Sequence, residues 1–203
     1  MKIAIIGAHG AVGSAVVKRL ANDHELILLG QNRGDLNIDI TDRESICQAF
    51  EQLGSVDAIV NAAGLVAFKP FAEYSEKDWA VGLQSKLMGQ IRLVEEGSFF
   101  VNQGGSITLI SGITSDFPIR MGISAMTIGA AIEGFAKAAA AEAPRGLRIN
   151  VVSPTLLDES LGVYGPFFPG FFSVPGDEVA QVFERAILGL ENGHTYKCFA
   201  GNH

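Results

Sequence analysis

The sequence predicts one α/β domain over residues 1–203, a doubly wound parallel sheet with helices on both faces and three layers in all. Short apolar runs alternate with helical segments along the chain. These runs are continuously apolar, as expected of strands that are buried on both faces. No linker, repeat or low-complexity segment interrupts the pattern, and a length of 203 residues suits a single domain.

The first half of the chain opens with a strand, a glycine turn and a helix. The run KIAII predicts a buried strand, and the turn GAHGAVG at residues 7–13 leads into the first helix. The second helix is predicted to be capped by Thr41, with Glu44 three residues on, and to end at Gly54. The predicted strands here are 2–6, 25–29, 35–40 and 56–64, and the predicted helices are 11–22 and 41–54.

The second half repeats the alternation with longer helices. Small residues dominate the helix GISAMTIGAAIEGFAKAAAAEA, and a proline stops the strand LRINVVSP that follows it. The predicted helices are 75–102, 122–143 and 175–190, and the predicted strands are 106–111, 147–154 and 195–200.

Composition narrows the class of protein. Hydrophobic residues make up 48% and charged residues 18%, with a mean hydropathy of +0.27, which predicts a homo-oligomer with some surface covered by another subunit. A net charge of −7 without any Lys/Arg cluster argues against nucleic-acid or membrane-surface partners. No apolar run reaches the roughly 18 residues of a membrane span. Two distant cysteines and four scattered histidines predict a cytoplasmic protein with reduced thiols and no metal site.

The glycine turn has the spacing and the place of an anion-binding turn. A turn between a strand and a helix N-terminus presents backbone N–H groups, and the helix dipole favours negative charge there. Gly7 would permit the sharp turn, Gly10 the close approach of a pyrophosphate, and Gly13 tight packing of the helix on the strand.

Further segments resemble those of the short-chain dehydrogenase/reductase superfamily. They are DIT at 39–41, NAAG at 61–64 and EGFAKAAAAEAPRGLRINVVSP at 133–154, and the resemblance runs from residue 1 to about 160. It implies a Rossmann sheet in the order 3-2-1-4-5-6-7, with a nicotinamide dinucleotide over the carboxyl ends of the strands. The glycine spacing is closer to the Gly-x-x-Gly-x-x-Gly of atypical and extended branches than to the commonest short-chain form.

The resemblance also implies where the cofactor lies. The glycine turn would hold the pyrophosphate, residues 39–40 would border the adenine, and residues 61–64 would line the ribose. Thr155, where the family usually has glycine, would sit beside Pro154 near the nicotinamide. The implied cofactor-binding residues are Gly7, Ala8, His9, Gly10, Ala11, Val12, Gly13, Gly30, Asn32, Arg33, Asp39, Ile40, Asn61, Ala62, Ala63, Gly64, Pro154 and Thr155.

The end of the second strand, LLGQNRGD, favours NADP(H) over NAD(H). NAD-dependent enzymes tend to place a carboxylate there for the ribose hydroxyls, whereas this chain has Gly30. Arg33 offers a partner to a 2′-phosphate. The alternative is that Arg33 is a solvated loop residue, and the nearby Asp35 weakens the argument for phosphate, so NAD(H) remains an alternative cofactor.

The usual catalytic residues of the superfamily are missing from the expected positions. Most members use a Ser, a Tyr and a Lys, with an Asn that holds a water; the Lys charge lowers the pKa of the Tyr. Alignment on EGFAKAAAAE puts Ala125 at the Tyr position, Gly129 at the Lys position, Gly112 at the Ser position and Lys86 at the Asn position. The sequence therefore predicts a non-standard active site.

Lys86 and Ser111 are the candidate catalytic residues. Lys86 would bring a cation and Ser111 a hydroxyl close to the vacated positions. The alternative for Lys86 is that it is an ordinary helix lysine that reaches solvent or bonds a carbonyl. The alternative for the hydroxyls is that they serve as caps, turn residues or packing groups. The residues concerned are Ser111, Thr114, Ser124 and Thr127. The sequence leaves two hypotheses for the function. The first is an NADP(H)-dependent oxidoreductase that acts on a small carbonyl or alcohol. The second is a catalytically silent dinucleotide-binding protein that serves as a redox sensor or an assembly subunit.

A lid-like segment is predicted at about 156–175. Its stretch VYGPFFPGFFSVP carries five aromatic residues, which fit either a small apolar substrate or a subunit contact. The small-residue helix 122–143 likewise fits core packing or the pairing of subunits in a dimer or tetramer. The face proposed for that pairing consists of Gly122, Ala125, Gly129, Ala130 and Gly134.

Overall fold

Seven parallel strands form one sheet in the computed structural model of the protein, which describes residues 1–202. The strand order β3-β2-β1-β4-β5-β6-β7 confirms the predicted α/β fold and the order implied by the family resemblance. The strands are β1 (Lys2–Ile6), β2 (Glu25–Gly30), β3 (Leu36–Asn37), β4 (Val56–Asn61), β5 (Val101–Ile110), β6 (Arg148–Pro154) and β7 (Thr195–Cys198).

Helices cover both faces of this sheet. Because successive strand residues point to opposite faces, Ile3 and Ile5 pack under α1 and α7, while Ala4 and Ile6 face α2, α4 and α5. No helix within residues 1–202 combines the length and the apolar character needed to cross a membrane. The helices are α1 (Ala11–Leu20), α2 (Arg43–Leu53), α3 (Glu76–Gly82), α4 (Gly89–Gly97), α5 (Ile123–Glu142), α6 (Leu161–Tyr164) and α7 (Gly176–Leu188).

The cap of α2 differs from the prediction. Asp42, not Thr41, accepts the capping hydrogen bond, which comes from the backbone N–H of Glu44 at 3.0 Å. Thr41 is already hydrogen-bonded to Asp39. The Asp39 carboxylate accepts hydrogen bonds from the Thr41 hydroxyl, at 2.7 Å, and from the Thr41 backbone N–H, at 2.8 Å. A residue held by the preceding loop cannot cap the helix, so the start moves one residue on.

The single helix predicted over 75–102 is wrong. The structure has α3, then a π-helical segment (Leu83–Met88), then α4, which ends at Gly97. Strand β5 begins at Val101, five residues before the predicted start, because Val101 pairs with Val56 of β4. Residues 101–102, which the prediction assigned to the last turn of the helix, therefore belong to β5.

The small-residue face proposed for subunit pairing is also divided. Gly122, Ala125 and Gly129 are buried within the subunit, whereas Ala130 and Gly134 are exposed. Since helix α5 packs against β6 and against the segment that follows β5, its inward side is covered by its own chain. The exposed small residues of α5 are Thr127, Ala130, Ala131, Gly134, Ala138 and Ala141.

Candidate active site

The glycine turn joins β1 to α1 in a closely packed geometry. Gly7 has a φ of +78°, which favours glycine. A Cβ atom on Gly13 would lie 2.1 Å from the carbonyl oxygen of Gly7, so α1 approaches the turn as closely as only glycine permits. On Gly10 the nearest atom to a Cβ would be 3.5 Å away, and this residue faces an open groove. The turn is therefore packed on its inner side and open on its outer side.

The groove lies at the carboxyl ends of β1, β2 and β4 and has a volume of about 840 Å³. Sequence reasoning missed part of its wall, notably Gln84 and Ser85, because no sequence pattern marks the π-helical segment that carries them. Gln31 and Thr41 were missed as well. The predicted cofactor residues that line the groove are Gly7, Gly10, Gly30, Asp39, Ile40, Ala62, Ala63 and Gly64.

Asn61 shapes the groove from beneath and does not line it. Its side chain is completely buried, and its amide donates to the carbonyl of Ala63 at 2.8 Å and accepts from the Ala63 N–H at 3.3 Å. These two bonds end β4 and turn residues 62–64 toward the groove. The other predicted residues outside the groove wall are the buried Ala8 and Gly13, the partly buried Val12, and the exposed His9, Ala11, Asn32 and Arg33.

The loop after β2 leaves an arginine free beside the groove. Asp35 accepts the Leu28 N–H at 2.8 Å, so this carboxylate is tied to the backbone of β2. Arg33 is exposed and forms no ion pair with any residue from 1 to 202. Inside the groove, the hydroxyl and the backbone N–H of Thr41 hold the pKa of Asp39 below its ordinary value. The groove wall thus carries the carboxylate of Asp39, and the exposed Arg33 follows two residues after Gln31 of that wall.

A second, inner cavity of about 240 Å³ continues from the groove, and Gly64, Leu65 and Tyr164 line both. The predicted Pro154 and Thr155 lie in its wall. Among the described residues that line this cavity, only Lys86 has a charged side chain. The apolar part of the wall consists of Leu65, Val66, Phe68, Ile113, Ala125, Leu156, Leu157 and Phe168, and the remaining polar side chains are Ser111, Thr114, Ser160 and Tyr164.

Lys86 lies in the wall of this cavity, on the π-helical segment. A Cβ atom on Gly64 would be 3.0 Å from the Cα and Cγ of Lys86, so Gly64 allows the lysine to pass close to the loop after β4. The ammonium group forms no salt bridge or hydrogen bond with residues 1–202, and burial lowers the pKa of Lys86 from 10.5 to about 8. Its charge therefore has no protein counter-charge in the cavity.

Ser111 and Ala125 of α5 complete the wall. Ser111 is 6% exposed and its Oγ donates to Oε1 of Glu133 at 2.7 Å. A Cβ atom on Gly129 would be 2.3 Å from Oγ of Ser115, so a side chain there would require the Ser115 hydroxyl to turn away, and Ala125 contributes only its methyl group. Sequence reasoning missed Glu133; the signal was that it is the first charged residue of the otherwise apolar helix α5.

Part of the segment 156–175, predicted to be lid-like, lines the cavity. Leu156, Leu157, Tyr164 and Phe168 lie in the cavity wall, and the ring of Phe68 stacks against Tyr164 and Phe167 with centroids 5.9 and 5.0 Å apart. The hydroxyl of Thr155 donates to the carbonyl of Phe172 at 3.0 Å. This bond ties the far end of the lid to the end of β6.

Comparison with known proteins identifies the family. The sequence model described as enoyl-(acyl carrier protein) reductase matches residues 2–170. The crystal structure of the protein lin1944 from Listeria innocua is 47% identical, with a TM-score of 0.95, and the alignment covers 97% of this chain and 98% of that chain. A crystal structure of a small-chain dehydrogenase in complex with NADPH is 22% identical and shares the fold with a TM-score of 0.89, over 99% of this chain and 97% of that one.

Curated relatives are more distant and longer. The 3-oxoacyl-(acyl-carrier-protein) reductase FabG of Aquifex aeolicus is 28% identical over 167 residues, which cover 78% of this chain and 65% of that protein. In another curated relative, the matched region covers only 28% of that protein's own length. The family model covers more than half of the chain, and the seven-stranded sheet agrees with it. The chain therefore belongs to the short-chain dehydrogenase/reductase superfamily of oxidoreductases, in the family described as enoyl-(acyl carrier protein) reductase.

Proposed function

We propose that the protein is an NADP(H)-dependent oxidoreductase that interconverts a small apolar carbonyl compound and its alcohol. One observation carries the proposal: Lys86 and Ser111 line the same largely apolar cavity, which shares Gly64, Leu65 and Tyr164 with the groove above the glycine turn. The apolar wall supports an apolar substrate, and the two polar groups support a substrate oxygen between them.

The groove fits a dinucleotide. The Gly7–Gly13 turn brings α1 close while Gly10 stays open, which suits a pyrophosphate, and Ile40, Ala62 and Ala63 offer a flat wall to the adenosine half. A nicotinamide ring beyond Gly64 would lie at the junction with the inner cavity, near Pro154 and Thr155. Bound there, the cofactor would supply the hydride.

Lys86 would act on the substrate oxygen as a cation, and Ser111 would pass a proton to it. Reduction of a carbonyl builds negative charge on that oxygen, and a donor or a cation already in place lowers the energy of this charge without any rearrangement. Because the cavity is largely apolar and lined in part by the segment 156–175, the Lys86 charge acts there with little screening by water. These two residues would thus take the place of the usual tyrosine and lysine, whose positions Ala125 and Gly129 occupy.

We expect NADPH to bind more tightly than NADH. Arg33 is exposed, two residues after Gln31 of the groove wall, and has no ion pair among residues 1–202, and Gly30 carries no carboxylate that would repel a 2′-phosphate. Arg33→Ala should weaken NADPH binding about tenfold, the value of one charge-assisted hydrogen bond, and leave NADH binding unchanged. Titration of both reduced cofactors by fluorescence measures this. Arg120→Ala, another exposed arginine, is the control, and tighter binding of NADH by the wild type would contradict the expectation.

A catalytically silent dinucleotide-binding protein is the second candidate. It is favoured by the alignment that puts Ala125 and Gly129 at the positions of the usual acid and its cation, since neither residue can supply those groups. The two functions differ in one assay. The oxidoreductase consumes NADPH with some member of a broad carbonyl panel, whereas the silent protein binds NADPH and consumes none.

A homo-oligomer, most simply a two-fold dimer, is expected to form through the exposed small face of α5. Ala130, Ala131 and Gly134 would let two such helices approach closely. Light scattering should give twice the 21.5 kDa subunit mass at micromolar concentration. Ala130→Glu should shift the protein toward monomer, while Ala21→Glu, on the exposed end of α1, should not. A monomeric wild type would refute the dimer.

A further inference from the structure

The hydrogen bond between Ser111 and Glu133 limits what Ser111 can do in the cavity. A serine hydroxyl has one proton to donate and can accept two hydrogen bonds. In the structure that proton points at Oε1 of Glu133, at 2.7 Å. While Glu133 is an ionised carboxylate, Ser111 can therefore only accept from a ligand, and the ligand group facing it must be a donor, such as the hydroxyl of an alcohol.

Glu133 lies behind Ser111, outside the cavity. It does not line the cavity wall, its side chain is partly exposed, and it forms no ion pair with any residue between 1 and 202. Ser111 in turn is buried and lines the cavity. Ser111 thus touches the ligand space on one side and a carboxylate with access to water on the other.

We propose that Ser111 and Glu133 form a two-residue proton relay between the inner cavity and solvent. This proposal rests on the proposed function. In alcohol oxidation the substrate hydroxyl gives its proton to Oγ of Ser111 as Ser111 gives its own proton to Glu133, which releases it to water. A nicotinamide dinucleotide held by the groove would accept the hydrogen of the alcohol carbon, with its electron pair, as hydride. In carbonyl reduction a protonated Glu133 supplies the proton through Ser111 to the substrate oxygen.

A purely structural role is the competing explanation, since the same bond ties the end of β5 to α5. The substitution Glu133→Gln separates the two roles. Glutamine keeps the length of the side chain and an oxygen that accepts from Ser111, but it cannot take up a proton. A structural tie survives this change, whereas a relay does not. Glu133 acts through Ser111 and is a positioning residue in this scheme.

Kinetics of alcohol oxidation give the first test. Glu133→Gln should lower kcat by a factor on the order of 10², the contribution of general acid–base catalysis, with KM unchanged. Glu133→Asp, which keeps the carboxylate, should restore part of the rate. Glu142→Gln, on the exposed end of the same helix, is the matched control. Equal kcat for Glu133→Gln and the wild type, with both folded by circular dichroism, would overturn the relay.

Infrared spectroscopy of the cofactor-free protein gives a second test that needs no turnover. Binding of cyclohexanol, a small apolar alcohol, should shift the carboxylate stretch of Glu133 through Ser111, and the shift should be absent from Glu133→Gln and from Ser111→Ala. The same shift in all three proteins, or in none, would overturn the relay. A wild type that binds cyclohexanol with this shift yet turns over no alcohol or carbonyl would refute the proposed function and leave the hydrogen-bonded pathway established.

Discussion

Lys86→Met should lower kcat by a factor on the order of 10²–10³, the usual loss when a donor to a developing oxyanion is removed. Lys86 is the charged residue in the wall of the inner cavity, and no residue from 1 to 202 neutralises it. Methionine keeps the length and apolar character of the side chain. NADPH affinity, measured by fluorescence titration beside the steady-state kinetics, should therefore stay close to that of the wild type. Ser111→Ala should act in the same direction.

The pH dependence of the same reaction gives an independent check. Burial lowers the pKa of Lys86 to about 8, so the ammonium is lost as the pH rises through that value and the reduction rate should fall. Lys86→Arg keeps its charge to much higher pH and should move this fall upward. Lys77→Met, an exposed lysine of α3, is the control for the kinetics. Full activity in both Lys86→Met and Ser111→Ala would mean that another group serves the substrate oxygen.

Gly13→Ala should be the most damaging small substitution for folding. The added Cβ would lie 2.1 Å from the carbonyl oxygen of Gly7 and 2.8 Å from the Cα of Ala8. Both atoms are backbone, and the turn is held by the bond from the Gly7 N–H to Leu29, at 2.9 Å, so neither can move aside easily. Overpacking typically costs about 1–3 kcal/mol, and a backbone collision belongs at the upper end or beyond. Urea denaturation measures the free energy of unfolding.

Gly10→Ala is the matched control for this substitution. Its Cβ would have no neighbour closer than 3.5 Å, and Gly10 has an ordinary extended backbone with a φ of −77°. The protein should therefore keep its stability. The methyl group would project into the groove, however, so NADPH affinity should fall. If Gly13→Ala were as stable as Gly10→Ala, the close packing of α1 on the turn would be refuted.

The sequence predicts those features that depend on local pattern. Short apolar runs marked most of the strands, and the strand–glycine–helix order located the groove, because both signals lie within a few neighbouring residues. The strand predicted at 35–40 has alternating polar residues and is only Leu36–Asn37 in the structure. The cap of α2 was mispredicted because Thr41 and Asp42 are both good caps, and the choice depends on Asp39 in the preceding loop. A contact in space decided between two equivalent patterns.

Features that depend on distant contacts were not predictable. Ser111 and Glu133 are 22 residues apart, and they meet because β5 ends beside α5. The π-helical segment has no periodicity of its own to detect, since its hydrogen bonds span one residue more than those of an α-helix. The alignment located Lys86 at a vacated family position, but its place in the cavity wall depends on the packing of Gly64 against that segment.

The π-helical segment gives two consecutive side chains to two different cavities. Ser85 lines the groove and accepts the N–H of Leu65 at 3.1 Å, while Lys86 lines the inner cavity. A ligand in the groove therefore touches the same turn of helix that carries the ammonium group. The wall of the groove and the wall of the inner cavity thus share one turn of helix, and neither wall can be altered at this turn without altering the other.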